Sequence, residues 1–226
     1  MKQKTVFYMA LAGLLCAFFA GVLWYSTQKE TPLVRLPDVT SAVLPDAQRA
    51  ALVRMHSPAL GPPDAQVVIV EFIDPACETC REFYPLVKKL MAAHPERIRL
   101  VMRYAPLHDG SDKVVAVLEA ARRQGKFWPA LEALLASQSG WVQHHKPQVT
   151  LVWKHLEGLG LNFEQMQFDL TAPAIAQVIA QDIADGRTLN VTKTPEFFVN
   201  GRPLPAFGYD ELKKLVDLAL KETQQR

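Results

Sequence analysis

The spacing of apolar residues changes several times along the chain, and each change marks an element. Val6 to Tyr25 is an unbroken apolar run. About 20 residues at helical rise cross a bilayer's hydrocarbon core, and the run is longer than a signal-peptide core. Residues 26–63 are polar and broken by Pro32, Pro37, Pro45, Pro58, Pro62 and Pro63, so they read as a spacer. Within it, Asp46–Arg54 predicts a short helix with Asp46 as its cap. Gln66 to Asp74, QVVIVEFID, is β-branched and almost continuously apolar, which predicts a central strand buried on both faces. Glu78 to His94 then takes a helical period through Phe83, Leu86, Val87, Leu90 and Met91, with Pro85 expected to kink it. Arg97 to Tyr104 is a second strand. Strand, helix and strand predict one parallel βαβ unit.

From about Ser111 to Leu189 the pattern is helical. Predicted helices cover Ser111–Gln124, Phe127–Ala136, Val149–Leu159, Phe163–Leu170 and Pro173–Leu189, with no strand signal between them. Thr194 to Leu204 reads as strand, turn and strand, because Asn200-Gly201 is a strong hairpin signal. Tyr209–Glu222 predicts a closing amphipathic helix with Leu212, Leu215, Val216 and Leu220 on one face.

Charge and composition narrow the picture. The 226 residues are 49% hydrophobic and 21% charged, with a formal net charge of +2, so no nucleic-acid footprint is expected. Lys2 and Lys4 before the apolar run, and Trp24 and Tyr25 at its far end, predict an uncleaved N-terminal anchor (residues 1–25) rather than a removed signal peptide. Its orientation leaves the rest outside the cytoplasm, the expected setting being a single-pass protein of a bacterial inner membrane with its domain in the periplasm. Cys16 lies within the run, and bulky Leu15 before it argues against lipidation. Residues 64–226, about 165 in number, suffice for one domain with a full core.

Two cysteines remain outside the anchor, as Cys77-Glu78-Thr79-Cys80. A pair alone does not staple a scaffold, so its role is expected to be chemical. Residues three apart in a first helical turn face the same way, and the helix N-terminus stabilises a thiolate. Cys77 is then the attacking sulfur and Cys80 the resolving one, with exchange passing through a mixed disulfide. Zinc would need further ligands, and His144-His145 are not spaced to supply them. A copper(I)-handling or holdase module is the alternative. Glu71 stands mid-strand, either as a buried proton carrier near the dithiol or as an edge residue facing solvent. Thr194-Pro195 opens a strand and leaves a ladder N–H missing, and by residue type alone a trans bond is expected. His56, His94, His108 and His155 read as isolated surface or cap residues. Arg122-Arg123 and Lys213-Lys214 read as solvated pairs. The aromatic residues Phe127, Trp128, Trp141 and Trp153 are expected to pack the helical block.

The order VEFIDPACETC, a long helical segment, KTPEFFVNG and a last helix resembles the DsbA family of exported proteins. The resemblance covers about Ala59 to the C-terminus. It implies an α/β thioredoxin-like fold with a helical insertion over about 111–189, here preceded by a transmembrane helix. Cys77 and Cys80 match that family's redox pair, Glu71 its buried acid, Pro195 its cis-proline and Thr194 the residue that meets the substrate backbone. Glu78 and Thr79 face substrate between the cysteines, where strongly oxidising members keep Pro-His. The anion of Glu78 is expected to raise the Cys77 pKa and weaken the oxidant. The resemblance implies a protein disulfide oxidoreductase without cofactor, with the oxidase, isomerase and reductase directions all open, acting on exported thiol or disulfide proteins and reset by a membrane partner.

Overall fold

The computed structural model describes residues 44–224. The expected anchor, with Lys2, Lys4, Cys16 and Val6–Tyr25, lies outside the described residues. Among the described residues no helix is long and apolar enough to cross a membrane.

The chain begins with a one-turn helix, α1 (Asp46–Arg49), and a short strand, β1 (Ala59–Leu60). Strand β2 (Val67–Ile73), helix α2 (Glu78–Ala93) and strand β3 (Ile98–Tyr104) form the expected unit, with β2 and β3 parallel. The insertion contains α3 (Ser111–Arg123), α4 (Phe127–Ala136), the hairpin β4 (Val142–Gln143) and β5 (Lys146–Pro147), α5 (Val149–Val152), α6 (Phe163–Asp169) and α7 (Pro173–Thr188). Strands β6 (Glu196–Val199) and β7 (Arg202–Pro203) and helix α8 (Tyr209–Gln224) close the domain. The main sheet has five strands in the order β1-β3-β2-β6-β7.

Strand β2 lies at its centre, parallel to β3 and antiparallel to β6. Six of its seven residues are buried, as its unbroken apolar run requires. Val67, Ile69 and Ile73 pack into the larger core with α2, α3, α4 and α8, while Val70 and Phe72 join a smaller core on the other face. Pro85 sits inside α2 without ending it. Asn200 and Gly201 both take positive φ, 48° and 78°, the geometry of the tight hairpin turn their sequence predicts. Trp141 is fully buried and Trp128 and Trp153 pack against the same core, as expected of the insertion's aromatics.

Three expectations about organisation change. The spacer ends well before residue 63. Ala51 and Leu52 are buried against the smaller core, and β1 pairs with β3. The Arg103 guanidinium pins this segment by donating to the carbonyls of Ala51 and Leu52 at 2.5 and 2.8 Å. Asp46 is the first helical residue of α1 rather than its cap, which is Pro45. The helical block also contains a two-stranded hairpin, β4–β5. Its two-residue strands are too short to register as periodicity.

Candidate active site

Cys77 is the N-cap residue of α2 and keeps an extended backbone, φ −79° and ψ 119°. Its sulfur therefore sits where the first helical N–H groups are unpaired, and Cys80 lies one turn further on. Both cysteines are free thiols. Cys77 is 7% exposed and Cys80 0%, so only Cys77 can be reached from outside. The Thr194 carbonyl oxygen lies 3.3 Å from the Cys77 sulfur, and the Thr194–Pro195 bond is cis, as the family resemblance implies and residue type alone did not. Cys77, Cys80, Thr194 and Pro195 are thus brought together from positions more than a hundred residues apart. Glu78 and Thr79 are half-buried on the first turn beside them.

Hydrogen bonding from the Cys80 thiol holds the Cys77 pKa down to about 5, against the opposing effect of burial. The Thr194 side chain and the N–H groups of Cys80 and Thr79 add to it. Burial pushes the Cys80 thiol well above its ordinary range, and the neighbouring Cys77 sulfur and the Glu71 charge push it further. The two sulfurs are therefore unequal in the way an attacking and a resolving cysteine must be.

Glu71 is fully buried at the centre of β2, which removes the solvent-facing alternative. Neither carboxylate oxygen has a hydrogen-bond partner. Burial, and then the charge on Cys77, raise its pKa to about 8. At neutral pH it is a protonated acid within electrostatic reach of both sulfurs.

The expectation that Glu78 raises the Cys77 pKa does not hold. Although burial opposes it, the Glu78 carboxyl is held below the usual range by its own backbone N–H and by His145, with His108 adding to the effect. Its Oε2 lies 2.9 Å from His145 Nδ1. An anion already paired with an imidazole leaves the thiolate to the helix N-terminus.

Two supporting residues carry no motif. Asp74, at the end of β2, is fully buried and accepts from the N–H groups of Ala76, Leu107 and His108 at 2.8 Å each, and from the Ser111 hydroxyl at 2.6 Å. It ties the loop before Cys77 to the loop after β3. Gln138 donates through Nε2 to the carbonyls of Pro75 and Cys77, at 2.8 and 3.0 Å, locking the insertion onto the dithiol loop. Nothing in the local sequence marks either residue, because both roles depend on contacts more than thirty residues away.

Several side chains read as isolated are engaged. His108 Nδ1 lies 2.7 Å from Asp74, and His56 Nε2 lies 2.6 Å from Asp182. His155 carries a buried Nε2 without a partner. Arg122 is not a simple solvated residue: it donates to Glu119 at 2.9 Å, and Glu119 also accepts from the buried Tyr104 hydroxyl at 2.7 Å. Among the described residues no group of three or more His, Cys, Asp or Glu side chains is placed to hold a metal ion.

Comparison with known proteins identifies the fold and the family. A thioredoxin family model matches residues 54–218. A thioredoxin-like oxidoreductase from Silicibacter pomeroyi is 34% identical, with a TM-score of 0.67 over 76% of this chain and 98% of its own. The fold is also that of α-DsbA1 from Wolbachia pipientis, at 19% identity and a TM-score of 0.64, covering 77% of this chain and 94% of that one. A curated sequence relative, the Na(+)/H(+) antiporter NhaA of Herminiimonas arsenicoxydans, is 30% identical over 200 residues, 88% of this chain. The chain spans only 29% of that antiporter's length. The chain therefore belongs to the thioredoxin family and has the fold of the DsbA proteins.

Proposed function

We propose that the chain introduces disulfides into exported proteins by passing on a Cys77–Cys80 disulfide. The observation that carries this reading is the contrast between the sulfurs: Cys77 is reachable and acidic at the open end of α2, and Cys80 is sealed beneath it. A stabilised Cys77 thiolate stabilises the reduced protein, and a stabilised reduced form is an oxidant.

The steps follow from the geometry. A substrate thiolate attacks Cys77 of the enzyme disulfide. The new S–S bond forms as the Cys77–Cys80 bond breaks, and the electron pair leaves on Cys80. That sulfur is buried and strongly favours its protonated form, so it takes the proton that Glu71 holds at neutral pH. A second substrate thiolate then attacks the substrate sulfur of the mixed disulfide and expels Cys77 as its stable thiolate. The substrate leaves with one disulfide and the protein is left as the dithiol. Thr194, at the cis bond beside Cys77, is positioned to meet the substrate backbone, with Glu78 and Thr79 at the rim. A membrane redox partner resets the dithiol. The setting is the periplasmic face of a bacterial inner membrane, with residues 1–25 as the anchor. The apolar run Val6–Tyr25 and its lysines support that placement. The alternative, copper(I) held by both thiolates, has no Met-rich or His-rich tract in the sequence to support it.

Equilibration with glutathione tests the direction. The expected reduction potential lies well above the roughly −270 mV of thioredoxin, towards the roughly −120 mV of the strongest oxidants. A value at or below thioredoxin's overturns the oxidising direction. Cys77→Ser is expected to abolish exchange in refolding and insulin-reduction assays, and retained activity would overturn the dithiol reading itself.

A further inference from the structure

The dipeptide between the cysteines puts an acid at the first position of α2, beside the thiolate, where the same helix dipole bears on both anions. The structure brings an imidazole to that acid from the insertion. His145 stands at the tip of the β4–β5 hairpin, 67 residues from Glu78 in sequence, with Nδ1 2.9 Å from Glu78 Oε2. Its ring stacks on that of His108, with centroids 5.7 Å apart and planes 19° from parallel. His108 in turn is held by the buried Asp74 at 2.7 Å. Lys146, next in the hairpin, reaches Asp109, next after His108, at 3.5 Å. Glu78, Asp74, Asp109, Lys146 and the two imidazoles are thus the charged and titratable groups of this contact. The hairpin rests on the active-site rim through them.

The backbone at the tip gives a second indication. His144 and His145 have φ of 51° and 62°, a left-handed conformation that favours glycine or asparagine. Asn-Gly occupies the equivalent positions of the β6–β7 turn in this same chain. Two histidines at the tip are a less comfortable choice for the turn, and the contact with Glu78 is what the choice provides.

We propose that His145 is a positioning residue for the dithiol: it binds and compensates Glu78, so that the charge of Glu78 does not bear on the Cys77 sulfur. The hairpin thereby supplies, from the insertion, the imidazole partner that the Glu78-Thr79 dipeptide lacks. The proposal rests on Cys77 being the reactive thiolate. The two claims separate experimentally, because thiolate titration and exchange activity are read independently.

The test compares the full chain with His145→Gln, Glu78→Gln and the double variant. In each, the pH midpoint of Cys77 is read from thiolate absorbance and from the rate of iodoacetamide alkylation. Glutamine at 145 keeps a hydrogen bond to Glu78 but removes the imidazole. His145→Gln is expected to raise the Cys77 midpoint by about half a pH unit, roughly a threefold fall in the thiolate-to-thiol ratio. That is the size expected of one half-exposed charge beside the sulfur. The reduction potential is expected to fall with it. In the Glu78→Gln background the same substitution is expected to change nothing. No shift in the single variant, or an equal shift in both backgrounds, overturns the proposal. Absence of exchange in the unmodified chain instead overturns the functional reading, whatever the titrations give.

Discussion

Glu71 and Arg103 lie on the adjacent strands β2 and β3, on opposite faces of the sheet, and both are fully buried. On the face away from the dithiol, Arg103 donates to Asp182 at 2.7 and 3.1 Å and to Asp185 at 2.6 Å. Arg54 adds bonds to Asp185 at 2.6 and 2.8 Å, His56 meets Asp182 at 2.6 Å, and the Tyr104 N–H donates to Asp182 at 2.9 Å. Arg103 also lies over the Phe72 ring, 5.3 Å from its centroid. These buried charges on that face have partners. On the dithiol face Glu71 has none. A buried ionic network with its bonds made is compatible with a stable fold, whereas an unpaired buried carboxyl is costly and persists where it has a task. The first face fastens residues 44–58 and α7 to the sheet. The second holds a proton ready beneath a pair of sulfurs.

The largest expected effect breaks the satisfied face. Asp182→Ala leaves Arg103 short of a counter-ion in the core, and a loss of about 3–5 kcal/mol is expected in denaturant unfolding. The Cys77 titration should stay where it is. A comparable shift in that titration would mean that the two faces are not separate.

Glu71→Gln acts in the opposite sense. The unfolded chain releases the Glu71 proton near pH 4.5, and the folded chain holds it to about 8. Across that window the native state binds the extra proton, so stability declines as pH rises, by about 3 kcal/mol by pH 7. Removing the carboxyl is expected to recover about that much at pH 7 and nothing at pH 4. Exchange should slow, because Cys80 loses its proton partner. Stabilisation without any slowing would leave Glu71 an unexplained cost.

Gln138→Ala tests the link between insertion and dithiol loop. It strands the carbonyls of Pro75 and Cys77, and a loss of about 2 kcal/mol is expected in the same unfolding measurement. A neutral result would place the coupling elsewhere, in Asp74.

The dithiol face was the more legible of the two in the sequence. Its strand is nearly all apolar, its cysteines are three apart, and an acid inside VVIVEFID is conspicuous. The bounds of β2, α2, β3 and α4 follow their periodicity to within a residue or two. The other face was hidden. Arg103 in RIRLVMRY looks like an exposed strand residue until Asp182 and Asp185 arrive from α7, about eighty residues later. The same contacts turn the proline-rich stretch before residue 63 from spacer into packed domain. Glu78 was misjudged for a similar reason. Its charge was plain, but its partner His145 sits in a hairpin whose strands are two residues long.

The central claim is that Cys77 is a stabilised thiolate at the end of α2 and the attacking sulfur of this protein. Its direct test is the pH dependence of alkylation at Cys77 in the reduced, full-length chain, with the modified residue identified by mass spectrometry. A midpoint near 5 and modification of Cys77 ahead of Cys80 are expected. A midpoint near the ordinary thiol value of about 8.5, or equal labelling of the two cysteines, would contradict it.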